Sequence, residues 1–177
     1  LRLFAPQDQN VADVLHGLEN LSGVAGRLQA VDTGGRPFSV YVDYAHTPDA
    51  LENVLKAVRV FAKARVISLF GCGGDRDRTM RPLMGEIGGR HSDFVIVTSD
   101  NPRTEEPADI VRAVENGVMR SGAPYVSIVN RKEAIAYALS ILEPNDVLVI
   151  AGKGHETYQE INGVKHHFDD REIVEEL

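Results

Sequence analysis

The 177-residue sequence is short of several residue types, and each shortage excludes a class of protein. It has one cysteine, Cys72, so no disulfide can form within the chain and a zinc-finger-like site is disfavoured. It has no tryptophan and 6% aromatic residues, which predicts a mainly aliphatic core. No apolar run approaches the length of a membrane span, and no secretion signal pattern opens the chain. We therefore expect a cytoplasmic protein that does not bind a membrane.

The charge balance further limits the classes of partner that the protein is expected to bind. The formal net charge is -7, which disfavours binding to nucleic acid or to an anionic membrane but allows local basic pockets. Hydrophobic residues make up 43% and charged residues 25% of the chain, as in a packed globular protein. The length suits a domain of ordinary size, and we expect a monomer.

Strand and helix patterns alternate along most of the chain. Apolar runs bounded by turn residues predict strands at Phe38–Val42, Val66–Phe70, Phe94–Thr98, Tyr125–Val129 and Val147–Ala151. Capping residues and prolines predict helices at Val11–Leu21, Pro48–Ala64, Pro82–Arg90, Pro107–Ser121, after Asn130, and after Asp169 or Asp170. This alternation predicts an α/β fold with a doubly wound, mostly parallel, Rossmann-like sheet.

The C-terminal part breaks the alternation. Asn162–Gly163 is a hairpin turn sequence between the strand patterns Tyr158–Ile161 and Val164–Phe168. We expect this antiparallel hairpin to extend the edge of the sheet. Its neighbours His166 and His167 would point to opposite faces of a strand and could not easily chelate one ion, so we predict no metal ligands here.

Unusual polar residues follow four of the predicted strands. They lie in the segments Asp43–His46, Gly71–Arg78, Asp100–Glu106 and Gly152–Glu156. Ligands of open parallel sheets bind outside the carboxyl ends of the strands, where these four segments would meet. The opposite turns, such as Gly122–Pro124, lack this combination of residue types. The sequence therefore predicts one composite site at the carboxyl edge.

The charges of these segments suggest the ligand. Arg76, Arg78 and Arg103 would bring guanidinium groups, which bind carboxylates in a bidentate manner. Asp100 and Glu156 are acceptors suited to an ammonium group. A site with both signs of charge matches a zwitterionic amino acid.

Each feature also has a simpler interpretation. Gly71–Gly74 and Asp100–Pro102 are good turn sequences, and the first lacks the spacing of a dinucleotide or P-loop motif. His46 could merely start a helix, while Lys153 and His155 could be solvated loop residues. Cys72 at a strand end is expected to be a small buried side chain rather than a nucleophile, as Met80 and Met84 are expected to pack in the core or a groove. Each interpretation is reasonable for one segment alone, but four such segments at the same edge of a sheet favour a binding site.

The four segments, taken in order, resemble those of a known family. Val42–Leu51, Gly71–Asp77 with Arg81–Gly85, Ser99–Pro107 and Ala151–Glu156 are similar to the C-terminal domain of Mur ligases of the UDP-N-acetylmuramoyl-tripeptide synthetase type. The resemblance covers roughly residues 11 to 177. It implies an enzyme that joins UDP-N-acetylmuramoyl-L-alanyl-D-glutamate to a third amino acid during peptidoglycan precursor synthesis, using ATP and Mg²⁺ through an acyl-phosphate.

The resemblance also implies roles for particular residues. Members with Asp-Asn-Pro-Arg at residues 100–103 add meso-diaminopimelate. The implied contacts to that amino acid are Arg76, Asp100, Asn101, Pro102, Arg103, Gly152 and Glu156. The implied nucleotide contacts from this domain are Arg27, Asp43 and His46. No residue of this chain is expected to act as a catalytic acid, base or nucleophile.

The sequence departs from the family pattern in one important respect. It contains no Gly-Lys-Ser/Thr, so the P-loop that grips ATP in the central domain of the family is missing. We expect residues 1–25 to be the tail of that central domain and residues 26–177 to be the amino-acid-binding domain, inactive alone. Two alternatives stay open: a standalone scaffold or binding domain, as in plastid relatives, and a Mur-type ligase for lysine or glutamate. Folylpolyglutamate synthetases share the fold, but residues 100–103 argue against that substrate.

Overall fold

Six strands form one sheet in the computed structural model, which describes residues 25–177. In chain order they are β1 (Gln29–Val31), β2 (Ser39–Asp43), β3 (Val66–Phe70), β4 (Phe94–Val97), β5 (Tyr125–Ser127) and β6 (Val147–Ala151). Their order across the sheet is β1-β2-β6-β3-β4-β5. The pairs from β2 to β5 are parallel, as the alternating pattern predicted. The predicted helix Val11–Leu21 lies outside the described residues.

The antiparallel edge of the sheet is not the one that was predicted. The hairpin strands β7 (Tyr158–Ile161) and β8 (Val164–His167) form a separate two-stranded sheet, so the expectation that they extend the main sheet was wrong. The backbone of β7 instead pairs with a loop, since Arg103 N donates to Glu160 O at 3.0 Å and Asn162 N donates to Arg103 O at 2.7 Å. The antiparallel edge strand is β1, which pairs with β2.

Five helices cover the two faces of the sheet among the described residues: α1 (Pro48–Phe61), α2 (Met80–His91), α3 (Pro107–Ser121), α4 (Arg131–Ile141) and α5 (Asp170–Glu176). The predicted caps are present, because Thr47, Asn130 and Asp169 each accept a backbone N–H of the following first turn. Helix α2 begins at Met80 instead of Pro82, since a proline in the first turn lacks only an N–H that has no helical partner there. No helix of residues 25–177 is long and apolar enough to cross a bilayer.

The strands alternate their buried side chains between two apolar layers. Val66 and Phe70 of β3 pack with α1, α2 and α3 on one face, whereas Ile67 and Leu69 pack with α4 and α5 on the other. Strands β3 and β6 are buried along their whole length, which explains why their sequences are continuous apolar runs. The doubly wound architecture is thus confirmed, and its loops are divided between the two edges of the sheet.

Polar groups at the amino ends of the strands stabilise the fold. Asp146 is buried and accepts hydrogen bonds from the backbone N–H groups of Arg65 and Glu143 at 3.1 and 2.8 Å, and from the Arg65 guanidinium. These bonds close the turns before β3 and β6.

Candidate functional site

A cavity of about 360 Å³ opens at the carboxyl ends of β2, β3, β4 and β6. Four loops that the sequence placed at this edge contribute to its lining. Of the residues predicted to contact an amino acid, six line it: Arg76, Asp100, Asn101, Arg103, Gly152 and Glu156. Pro102 is buried beside the cavity but does not line it, and His46 lines it from the β2 loop.

Asp100 presents a carboxylate oxygen that the protein leaves free. Its Oδ1 accepts the N–H of Asn101 at 2.6 Å, and the side chain is almost fully buried. Its Oδ2 is buried without a hydrogen-bond partner among residues 25–177. A Cβ atom at Gly152 would stand 2.5 Å from this oxygen, so the glycine provides the room that the carboxylate occupies. A buried, unsatisfied carboxylate oxygen in a cavity favours a cationic ligand.

Asn101 connects three loops through its side-chain amide. Its Oδ1 accepts from Lys153 Nζ at 3.0 Å and from Glu160 N at 2.9 Å, and its Nδ2 donates to Glu156 Oε2 at 2.9 Å. Lys153 is fully buried, so its interpretation as a solvated loop residue was wrong, whereas His155 is exposed. This network fixes the position of Glu156 at the cavity wall.

Arg103 supplies a partly free guanidinium. Its backbone adopts the left-handed conformation with φ of 52°, held by the two hydrogen bonds to β7 described above. Its Nη1 donates to Gly74 O at 2.7 Å, and its Nε lies 3.7 Å from a Glu160 oxygen. The guanidinium is therefore oriented by the protein while part of its donor set still faces the cavity.

The other two predicted arginines point in different directions. Arg76 is exposed and lines the cavity, with only a long contact of 3.4 Å to Asp75 O. Arg78 does not line this cavity and instead forms an ion pair with Glu105 at 3.0 Å beside a neighbouring cleft. Of the three predicted arginines, Arg76 and Arg103 therefore line the cavity.

A set of ionic contacts ties the loop after β3 to the loop after β4. Asp75 accepts from Thr104 N at 3.2 Å and Thr104 Oγ1 at 2.8 Å, while Glu105 accepts from Asp75 N at 2.7 Å. The almost fully buried Arg81 binds both oxygens of Glu105 at 3.0 and 2.7 Å. Hydrogen bonds from Arg81 and then from Asp75 N–H lower the pKa of Glu105 to about 2. These contacts hold the two arginine-bearing loops together.

Two of the residues predicted for a nucleotide, Arg27 and His46, contact Tyr44, which lines the cavity. The Tyr44 ring contacts His46 and His155, with ring centroids 4.6 and 5.2 Å apart, and the Arg27 guanidinium carbon lies 5.6 Å from the Tyr44 centroid. Arg27, His46 and His155 are exposed. These groups offer flat and cationic surface that is open to a ligand.

Asp43 differs from Arg27 and His46, because its carboxylate is hydrogen-bonded to the backbone of the protein. It is buried, and its two oxygens accept the backbone N–H groups of Leu28 at 2.6 Å and Ala45 at 2.7 Å. It does not line the cavity. Any nucleotide contact from Asp43 would have to use its remaining lone pairs, and its direct effect is to hold the segment that carries Arg27.

Cys72 lines the cavity beside Met84, but its thiol is not reactive. Burial raises the pKa of the thiol to about 12, and the Asp100 carboxylate acts in the same direction. The thiol therefore stays protonated near neutral pH, when a nucleophilic cysteine would need to ionise.

Sequence reasoning missed a buried ion pair beneath the site. Arg131 and Asp170 are fully buried and share two contacts of 2.8 Å. Arg131 also donates to Ser99 O at 3.3 Å, in the loop after β4, and to Ala151 O at 3.1 Å, at the end of β6. An arginine after a helix cap is usually solvated, so no local signal could have indicated this role.

Known proteins match both the sequence and this geometry. The model of the Mur ligase glutamate ligase domain matches residues 26–154. The UDP-N-acetylmuramoyl-L-alanyl-D-glutamate–2,6-diaminopimelate ligase of Clostridioides difficile (strain 630) is 54% identical over 160 residues, which cover 90% of this chain and 33% of that protein. The ligase of the same name from Caldanaerobacter subterraneus is 51% identical over 154 residues, covering 87% and 32%.

A solved structure of a diaminopimelate ligase of this name superposes with a TM-score of 0.82 at 43% identity, covering 94% of this chain and 34% of that one. The chain belongs to the Mur ligase family. It spans about a third of the length of the curated relatives that it matches. In this Mur ligase domain, the cavity is formed by the same four segments on which the resemblance in sequence rests.

Proposed function

We propose that this Mur ligase domain binds meso-diaminopimelate for a UDP-N-acetylmuramoyl-L-alanyl-D-glutamate–2,6-diaminopimelate ligase. The observation that carries the proposal is a single cavity lined by both carboxylates and guanidinium groups. Asp100 and Glu156 receive an ammonium group, while Arg76 and Arg103 receive a carboxylate. The names of the relatives support the same substrate.

The domain acts by positioning its ligand. In the proposed reaction, an amine of diaminopimelate attacks the carbonyl of an acyl-phosphate, an amide bond forms and phosphate leaves. Holding the amine close to that carbonyl converts a bimolecular encounter into an effectively unimolecular step. The buried carboxylates hold the amino acid by charge, and no side chain of the cavity is required as a nucleophile.

ATP and Mg²⁺ supply the activated phosphoryl group in this proposal. The exposed Arg27 and His46 fit a contact with a nucleotide, because the cation and the ring flank Tyr44 beside the cavity. Asp43 supports them by binding Leu28 N–H. UDP-N-acetylmuramoyl-L-alanyl-D-glutamate is the second substrate, and its binding groups are not assigned to residues of this chain.

Arg103 is the proposed source of selectivity for diaminopimelate over lysine. Diaminopimelate carries a distal carboxylate that lysine lacks, and a guanidinium pairs well with a carboxylate. With lysine bound, a half-buried guanidinium would lose its solvent without gaining a partner, which penalises that ligand.

Calorimetry on the full-length protein tests this proposal. We expect binding of meso-diaminopimelate, much weaker binding of lysine, and a loss of roughly 10- to 100-fold in diaminopimelate affinity for Arg103→Ala. Arg112→Ala is the matched control, because Arg112 is exposed on α3 and, within residues 25–177, its one ion pair is with the exposed Asp109. A preference for lysine, or an Arg103→Ala protein that binds as tightly as the parent, would refute the assignment.

A further inference from the structure

Lys153 has a burial that its loop position does not explain. Its side chain is fully buried although it lies in the turn after β6, and burying an ammonium group costs several kcal/mol unless it is well paired. Its Nζ donates to Asn101 Oδ1 at 3.0 Å and lies 3.5 Å from Glu156 Oε2. The Tyr158 ring centroid is 5.6 Å away. This lysine therefore stands behind the cavity wall rather than inside the cavity.

The lysine decides which way the Asn101 amide faces. An ammonium group has donors only, so the atom that meets Nζ must be the amide oxygen. Glu160 N–H reaches the same oxygen at 2.9 Å. The amide nitrogen is consequently directed at Glu156 Oε2, 2.9 Å away, which leaves the other oxygen of Glu156 for a ligand.

The buried charges around Lys153 do not cancel. Arg131 of α4 and Asp170 of α5 neutralise each other through their two contacts. Lys153 lies 3.5 Å from Glu156 Oε2, and Asp100 is the second carboxylate that lines the cavity, so these three side chains carry an excess of one negative charge. Burial lowers the pKa of Lys153, and both carboxylates oppose that shift.

Other charged groups that line the cavity lie on the loop after β3 and at the start of α2. Arg81 is paired with Glu105, and Arg76 and Asp77 are exposed.

The hairpin contributes further groups. Glu160 of β7 is directed at Arg103, with 3.7 Å between its oxygen and Arg103 Nε, and Tyr158 of β7 presents its ring to Lys153. The excess charge of Lys153, Asp100 and Glu156 taken together thus matches a single ammonium group on the ligand.

We propose that Lys153 is a positioning residue: it orients the Asn101 amide, which in turn holds Glu156 so that the free oxygen of Glu156, together with Asp100, binds one ammonium group of the substrate. This inference rests on the proposed function, since diaminopimelate supplies that ammonium group. Lys153 itself does not touch the ligand.

Removing the lysine charge has a specific consequence. In Lys153→Met, the Asn101 oxygen keeps its bond from Glu160 N–H but loses the ammonium donor that also lies 3.5 Å from Glu156 Oε2. The Asn101 amide is then free to turn, and Glu156 loses the N–H donor that holds it at the cavity wall. Lys153→Met should therefore weaken the binding of diaminopimelate.

Steady-state kinetics of the full-length ligase tests the proposal. For Lys153→Met we expect a KM for diaminopimelate raised roughly 10- to 100-fold at neutral pH, with a KM for ATP changed by less than about twofold. Lys165→Met is the control, because Lys165 lies over the same Tyr158 ring, at 4.0 Å, but is exposed.

A second variant keeps the test decisive if Lys153→Met folds poorly. Lys153→Gln keeps an N–H donor for the Asn101 oxygen without the charge, so its KM for diaminopimelate should lie between those of the parent and of a protein without this donor. A folded Lys153→Gln with a KM raised as far as is expected for Lys153→Met, or a folded Lys153→Met with the KM of the parent, would overturn the proposal. A parent enzyme that does not use diaminopimelate would instead overturn the proposed function.

Discussion

At the scale of single residues, the cavity depends on the close approach of Gly152 and Asp100. Gly152 has a φ of 116°, a conformation that residues with a side chain rarely adopt. A methyl group here would also meet Asp100 Oδ2 at 2.5 Å, which is well inside van der Waals contact. The backbone of the β6 loop and the carboxylate of the β4 loop are thus fitted to each other.

Gly152→Ala should therefore impair both stability and substrate binding. We expect a loss of about 1–3 kcal/mol in the free energy of unfolding from backbone strain, and a raised KM for diaminopimelate because Asp100 must move. Urea unfolding and steady-state kinetics measure the two effects. Gly163→Ala is the control for strain alone, since its φ is 75° and nothing lies within 4 Å of a Cβ there. Equal KM values for the two variants would contradict the expected displacement of Asp100.

The limits of sequence reasoning are also clearest at single residues. Asp100 and Arg103 were placed correctly at the cavity because the end of a parallel strand fixes where its loop lies. The burial of Lys153 was not predicted, because it depends on Asn101, a partner 52 positions away. Arg81 was missed for the same reason, since its partner Glu105 lies 24 positions away. Charge alone does not reveal whether a side chain is solvated or paired.

At the scale of secondary-structure elements, two helices set the spacing of the site. Helices α2 and α3 touch through their backbones, because a Cβ at Gly85 would lie 2.0 Å from Val114 O and one at Gly117 would lie 1.9 Å from Pro82 O. Helix α2 follows the loop of Arg76, and helix α3 follows the loop of Arg103. The separation of the helices therefore influences the separation of the two guanidinium groups.

Gly117→Ala should push α2 and α3 apart. We expect a loss of about 1–3 kcal/mol in the free energy of unfolding, as for other overpacked interiors, together with a higher KM for diaminopimelate. Asn116→Ala is the control, because Asn116 is an exposed neighbour on α3 and gains the same helix-forming residue. Urea unfolding of both variants tests the idea, which fails if Gly117→Ala is as stable as the control.

The bounds and pairing of some secondary-structure elements could be predicted from the sequence, and those of others could not. Strands β3 and β6 and helix α3 match their predicted bounds, since long apolar runs or a proline mark them. Strand β1 has three residues and no alternating pattern, so its pairing with β2 arises from tertiary contacts alone. The hairpin itself was predicted correctly, but its docking on the β4 loop depends on hydrogen bonds that no local pattern encodes.

At the scale of the whole molecule, carboxylates with lowered pKa values hold both edges of the sheet. Hydrogen bonds from Arg81 lower the pKa of Glu105 to about 2 at the carboxyl edge. Burial raises the pKa of Asp146 at the amino edge, but bonds from Arg65 outweigh it and the net direction is downward. The same balance lowers the pKa of Asp169, where hydrogen bonds from Arg171 outweigh its burial.

These shifts predict a chain that loses stability in acid. A carboxylate whose pKa is lower when folded stabilises the protein above its unfolded pKa, and that contribution disappears as the pH falls towards the folded value. For Glu105, this window runs from about pH 4.5 down to about pH 2. The urea midpoint should therefore change little above about pH 5 and fall steadily below about pH 4.

The Glu105→Gln variant distinguishes the effect of the ion pair between Arg81 and Glu105 from the effects of the other carboxylates. The variant should be less stable than the parent at neutral pH, because the buried Arg81 loses its charged partner, and its stability should fall less steeply as the pH drops. Glu106→Gln is the control, since Glu106 is the exposed neighbour of Glu105 and makes no side-chain cap to α3. We expect its pH profile to follow the parent. If the stability of Glu105→Gln depends on pH in the same way as that of the parent, the ion pair between Arg81 and Glu105 does not contribute to the loss of stability in acid.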